Sequence, residues 1–152
     1  MVNPVQPLAG QKFYLLVGDG ATPTEAFTFA CILTTIDSDH GAEVEDAMAP
    51  DCDDPTAIPT RTSTVKMLTW DITASGLVDP TKAPYVQLRT AFRSGAPINL
   101  QLKKNLTGAN GGETEQQAFL ITQWKESKSE NGLVKCQMTF HGQGKPTVTV
   151  NP

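Results

Sequence analysis

Val65-Lys66-Met67-Leu68-Thr69-Trp70-Asp71-Ile72-Thr73-Ala74-Ser75-Gly76 is the stretch that decides the fold class. Val65, Met67 and Thr69 alternate with Lys66, Leu68, Trp70 and Ile72 until Ser75-Gly76 breaks the run, which is the two-residue period of a β-strand. Upstream, residues 26 to 37 alternate in the same way. Phe27, Phe29, Cys31 and Leu33 share one face, and Thr28, Ala30, Ile32 and Thr34 share the other. The two strands predict a long hairpin whose arms project beyond a core.

Between them the alternation stops. From Ser38 to Thr60 the chain carries Pro50, Pro55 and Pro59, and together with Asp37 this stretch holds eight of the sixteen acidic residues. It reads as a long acidic loop, a feature that in a folded domain is usually functional or disordered. The charge is polarised along the chain. Residues 1 to 60 carry ten acids and one base, Lys12, for a net −9; residues 61 to 152 carry eleven bases and six acids, for a net +5. Such polarity suits complementary contacts between identical subunits. The bases are scattered singly apart from Lys103-Lys104, which is not the footprint of a nucleic-acid-binding surface.

Working outward, Phe13, Leu15 and Val17 predict a strand at 12 to 17, closed by a turn at Gly18-Asp19-Gly20 and Pro23. One helix is expected after the hairpin. Asp79 is placed to cap it with Pro80 in its first turn, or it begins at Pro84; Tyr85, Leu88 and Phe92 form its buried stripe, and Gly95 ends it. Three further strands follow, around Ile98 to Leu102, 117 to 127 and 133 to 142, the last two joined through Glu130-Asn131-Gly132 with positive φ at Asn-Gly. The termini, 1 to 11 and 145 to 152, read as extended arms that order on another molecule. The fold class is mainly β, a β-sandwich or small barrel with one helix over an open end or face. At 152 residues the chain has room for one such domain.

The start of the chain has neither a basic nor an apolar signal region, and no run approaches the length of about 18 apolar residues expected of a membrane helix. Synthesis and folding in a cytosol, with no membrane partner, are therefore expected. Cys31, Cys52 and Cys136 are widely spaced without a CxxC, which argues against a disulfide framework or structural zinc; Cys31 and Cys136 read as buried. With only His40 and His141 as imidazole bases and no GxSxG, no catalytic residue is assigned. Gly18-Asp19-Gly20 lacks a third glycine and a following helix, so no nucleotide or other cofactor is expected. The acidic run contains oxygen ligands but not the register of a calcium-binding EF-hand, and no metal site is assigned. A monomeric binding module holding calcium in that loop is the alternative from a different class. Trp70 and Trp124 read as core aromatics.

In its order of elements the chain resembles the major tail tube protein of long-tailed, non-contractile bacteriophages. The likeness is carried by Arg61-Thr62-Ser63 followed by Met67 to Gly76 before the helix. It is carried also by Phe119-Leu120-Ile121-Thr122-Gln123-Trp124, a polar turn and the strand ending Phe140-His141-Gly142-Gln143-Gly144. The resemblance implies a single tail tube domain over 1–152, non-enzymatic, made in the host cytoplasm and located in the virion tail. It implies hexameric rings stacked into a hollow tube around a tape measure protein, closed by a tail terminator, through which DNA passes without specific binding. Within that picture Asp39, Glu43, Glu45, Asp46, Asp51, Asp53 and Asp54 are expected to face the lumen or to meet Lys82, Arg89, Arg93, Lys103 or Lys104 of the next ring. The fold is shared with contractile tails and secretion tubes and does not by itself distinguish them.

Overall fold

The structure, a computed structural model, describes residues 4–152. The strands are β1 (Phe13–Gly18), β2 (Phe27–Phe29), β3 (Leu33–Ala49), β4 (Thr60–Leu77), β5 (Ile98–Lys104), β6 (Glu113–Ser127) and β7 (Lys135–Val150); one helix, α1 (Ala83–Ser94), precedes β5. They form a single antiparallel sheet in the order β2-β1-β5-β6-β7-β4-β3.

That order forces the sheet to roll. Its two edge strands, β2 and β3, are consecutive in the chain, and only Ala30, Cys31 and Ile32 separate Phe29 from Leu33. Four Cα steps reach at most about 15 Å, whereas the edges of a flat sheet of this width would lie roughly 29 Å apart. The connecting residues close the roll by bonding to both sides: Ala30 N–H donates to Leu15 O, and Leu77 N–H to Ile32 O, each at 2.9 Å. Gly76 permits the close approach, since a Cβ there would meet Ile32 O at 1.8 Å.

The rolled sheet encloses one core. Leu15, Val17, Leu100, Phe119, Ile72, Met138 and Phe140 are wholly buried in it. Along β4, Trp70, Ile72, Ala74 and Gly76 point in while Asp71, Thr73 and Ser75 point out. Across the β3, β4 and β7 ladders this outer face is polar: Thr35, Asp37 and Asp39 stand opposite Ser75, Thr73 and Asp71, which stand opposite Gln137, Thr139 and His141. Helix α1 buries Tyr85 and Leu88 against the sheet and touches β6, β1 and β2. Trp124 is half-buried between the helix rings Tyr85 and Phe92. Phe92 lies at the margin, 38% exposed.

Several expectations are corrected. The stretch 38–60 is mostly strand: β3 continues to Ala49 and pairs with β4 down to Ala49↔Thr60, leaving only residues 50–59 as loop. As an edge strand with water on both faces, β3 needs no apolar alternation there, so its pairing left no hydrophobic signature. Residues 26–37 are two strands on opposite edges rather than one, and Cys31, in the crossover, is exposed while Cys136 is buried.

Helix α1 starts at Ala83 with Lys82 as its cap, because Pro84 is tolerated only in a first turn. Asp79 instead accepts from Thr81 N–H and Oγ1. Gly95 ends the helix at φ 71° as expected. The segment 145–152 is not a free arm, since β7 runs on to Val150 beside Glu113–Gln116 of β6. The turn at 128–134 uses no positive φ at Asn131 or Gly132. Of the proposed N-terminal arm, residues 4–9 are exposed and form neither helix nor strand, and residues 1–3 lie outside the described part.

Gly76→Ala is expected to lower stability by about 1–3 kcal/mol or more, because the new methyl meets a backbone oxygen that cannot give way without opening the roll. Leu68→Ser, at a 76% exposed position, should stay within about 0.5 kcal/mol of the parent. Urea unfolding of the two variants checks the pair.

Candidate assembly interface

The β3–β4 hairpin leaves the body of the protein at Trp70. β4 pairs with β7 only from Leu77↔Lys135 to Asp71↔His141, so from Thr60 to Trp70 it has no described strand on that side. The cause is in β7. Residues 144–146 lie opposite the single residue Gln117 of β6, a bulge made by Gly144 at φ 81° and by Pro146, which has no N–H to donate. Gln117, itself buried, fills the bulge by donating from Nε2 to Gly144 O. β7 is thereby turned away from β4, and the hairpin continues as a two-stranded ribbon with solvent on both faces.

One latch ties the ribbon's base to the body. His40 on β3 stacks on Trp70, with ring centroids 4.8 Å apart and 15° between planes, and its Nε2 lies 3.0 Å from Glu115 Oε2 on β6. Trp70 Nε1 donates to Ser38 Oγ at 2.8 Å. The angle between ribbon and bulge holds a cavity of about 350 Å³ lined by His40, Leu68, Trp70, Gln117, Lys145 and Pro146. The ribbon exposes large apolar side chains: Val44, Met48, Val65, Met67, Leu68 and, in its tip, Ile58. These were not singled out in the sequence, where Val65 and Met67 read as an ordinary strand face.

Six of the seven expected acidic residues lie on this ribbon, and Asp39 sits at its base, opposite Asp71 on the body. Asp39, Glu43, Glu45 and Asp46 lie on β3; Asp51, Asp53 and Asp54 lie in the tip. Glu45 faces Lys66 at 3.9 Å, an exposed pair of little energetic weight, and Asp46 accepts from Ser63 Oγ. Asp51 accepts from Asp53 N–H at 2.9 Å. Asp54 accepts from Thr56 Oγ1 and N–H, and these bonds hold its carboxyl below the usual 3.8. Among the described residues no group of three or more His, Cys, Asp or Glu side chains is placed to hold a metal ion.

The five expected bases are not brought together. Arg89 is occupied within its own subunit: its guanidinium meets Glu126 and Tyr85 Oη and lies 5.8 Å from the Trp124 ring centre. Lys104 lies 3.4 Å from Glu113, and Lys103 is half-buried on β5 between Tyr14 and Thr114. Lys82 and Arg93 are exposed at opposite ends of α1. The pairing of Arg89 could not be read locally, since Glu126 is 37 residues away.

An antiparallel sheet rolled in this way, capped by one helix and extended by a solvent-exposed ribbon, recurs in chains of solved virion and tail structures. A chain of a native gene transfer agent virion superposes with a TM-score of 0.74 at 16% identity, over 93% of this chain and 98% of that one. The tail tube of SPP1 gives 0.72 at 13% identity, over 95% and 80%. A chain of a contractile injection system's sheath-tube complex gives 0.59 at 12%, over 95% and 92%. No curated protein matches the sequence. The family model described as phage tail tube protein matches residues 7–148, and the chain belongs to that family. It is a structural component of the phage tail, and its place is the virion.

Glu126 offers a pH test of the helix–sheet contact. Trp124 Nε1 and Tyr85 Oη donate to it at 2.9 and 2.8 Å, and with Arg89 they hold its carboxyl below the ordinary 4.5. A depressed folded-state value contributes stability above the ordinary value that is lost as pH falls through the folded one. Glu126→Gln should therefore flatten the loss of melting temperature between neutral pH and the range below 4.5, as measured by thermal melts across that range.

Proposed function

We propose that six copies of the chain close into a ring and that rings stack into the hollow tail tube through which DNA passes, with no catalysed reaction. The tape measure protein would occupy the tube during assembly and a tail terminator would close it. The tail of an empty gene transfer agent particle has six-fold symmetry, and its chain has the same fold at a TM-score of 0.73 and 18% identity. The observation that carries the reading to this chain is the ribbon. A hairpin with apolar side chains exposed on an unpaired edge is costly in a lone molecule and is explained by burial against other copies.

The polar outer face of β3, β4 and β7 is the surface best suited to the channel. It carries Asp37, Asp39 and Asp71 among threonine, serine and glutamine side chains, and His141 Nδ1 lies 2.8 Å from Asp71 Oδ1. Fixed carboxylates repel phosphate, so DNA would slide along such a wall without sticking.

Electron microscopy of the concentrated protein should show rings or tubes, and a strict monomer at high concentration would overturn the reading. Deleting residues 41–57 should leave the core folded by circular dichroism yet stop tube growth. The channel assignment makes a separate prediction: Asp37→Lys/Asp39→Lys tubes should co-purify with nucleic acid and the parent tubes should not. Equal absence of nucleic acid from both, after challenge with DNA during assembly, would remove it.

A further inference from the structure

The ribbon tip and the β6–β7 turn lie at opposite ends of the same sheet. β4 runs from the tip at Thr60 to Leu77, and Leu77 pairs with Lys135, the first residue of β7. At about 3.3 Å per residue the 18 residues of β4 separate the two ends by roughly 60 Å. Both ends expose apolar side chains: Met48 and Ile58 at the tip, Leu77, Leu133 and Val134 at the far end.

Their charges are opposite. The tip carries Asp51, Asp53 and Asp54, and its nearest base is Arg61. The far end carries exposed Lys125, Lys128 and Lys135, with Lys82 close by because Val78 N–H donates to Val134 O just before the helix. The acids at that end are Asp79, Glu130 and Glu126, and Glu126 is already matched by Arg89.

Resting on the stacked-ring reading above, we propose that the ribbon tip of one copy docks on the β6–β7 turn of a copy in the next ring. Met48 and Ile58 cover Leu133 and Leu77, and the tip carboxylates face Lys125, Lys128 and Lys135. Only Lys82 of the five bases expected from sequence belongs to this surface. The contact is heterologous, joining unlike ends, so it adds copies along one axis without closing. It also fixes polarity, because two tips repel and two turns repel.

Charge exchange tests the assignment. Lys128→Glu/Lys135→Glu and Asp51→Lys/Asp53→Lys should each raise the concentration needed for tube growth by about tenfold or more, since each sets like charges face to face. All four changes in one chain should bring it back to within about threefold of the parent, because the attraction is restored with its signs reversed. Parent-like growth of the lysine double variant overturns the docking. Failure of the parent itself to form tubes would instead overturn the stacked-ring reading.

Exposed Cys52 in the tip supplies a second test that leaves every charge in place. In tubes of Ser129→Cys a short bismaleimide should give a ladder of linked chains, lost when Cys52→Ser is added. Well-formed tubes without that ladder, or a ladder that survives Cys52→Ser, would equally overturn the proposal.

Discussion

Three residues join the two edges of a seven-stranded sheet, and the rest of the molecule follows from that tether. A sheet so constrained has an inside, and the pleat assigns alternate residues to it. Trp70, Ile72 and Ala74 go inward with Phe140 and Met138 beside them, and the threonines and aspartates between them go outward. The helix closes the roll with Tyr85 and Leu88. Gly76 is required because the crossover passes too close for any side chain. Where β7 departs at its bulge, β3 and β4 lose the support of the roll and continue alone.

What could be read from the residues was what the core dictates. The alternation from Trp70 to Gly76, the helical stripe ending at Gly95 and the closing hairpin all mark surfaces with one apolar side, and each lies where the pattern placed it. The continuation of β3 through Asp39, Glu43 and Asp46 left no such mark, because backbone pairing alone holds an edge strand that is wet on both faces. Phe27 to Leu33 mimicked one strand because the alternating residue types run on through the three-residue crossover between the short β2 and the long β3. Asp79 looked like a cap because it forms a local turn with the same side-chain chemistry. Val148 and Val150 gave no sign of their partners Glu115 and Glu113, which lie far away in sequence. On the ribbon, the clustering of acidic residues was legible as charge. That Arg89 and Lys104 are engaged within the subunit was not, because only folding brings their partners near.

The junction of ribbon and body concentrates unlike interactions in a small space. His40 lies flat on Trp70, whose ring meets Phe119 edge-on at 5.0 Å, so the core and the latch share one aromatic stack. Glu115 reaches the same imidazole from β6, on the other side of the gap left by the bulge. The ribbon's direction is therefore set by side chains, over and above the backbone ladder that it shares with the body. Polar contacts of this kind fix geometry more than they add stability.

Because the ribbon beyond Trp70 contributes no buried side chain to the core, its sequence is uncoupled from the free energy of folding. With the ribbon docking as proposed above, substitutions there alter which surfaces recognise one another while leaving the scaffold's tolerance untouched. Two descendants of one ancestral chain can diverge in this segment, fold equally well in the same cell, and still polymerise apart.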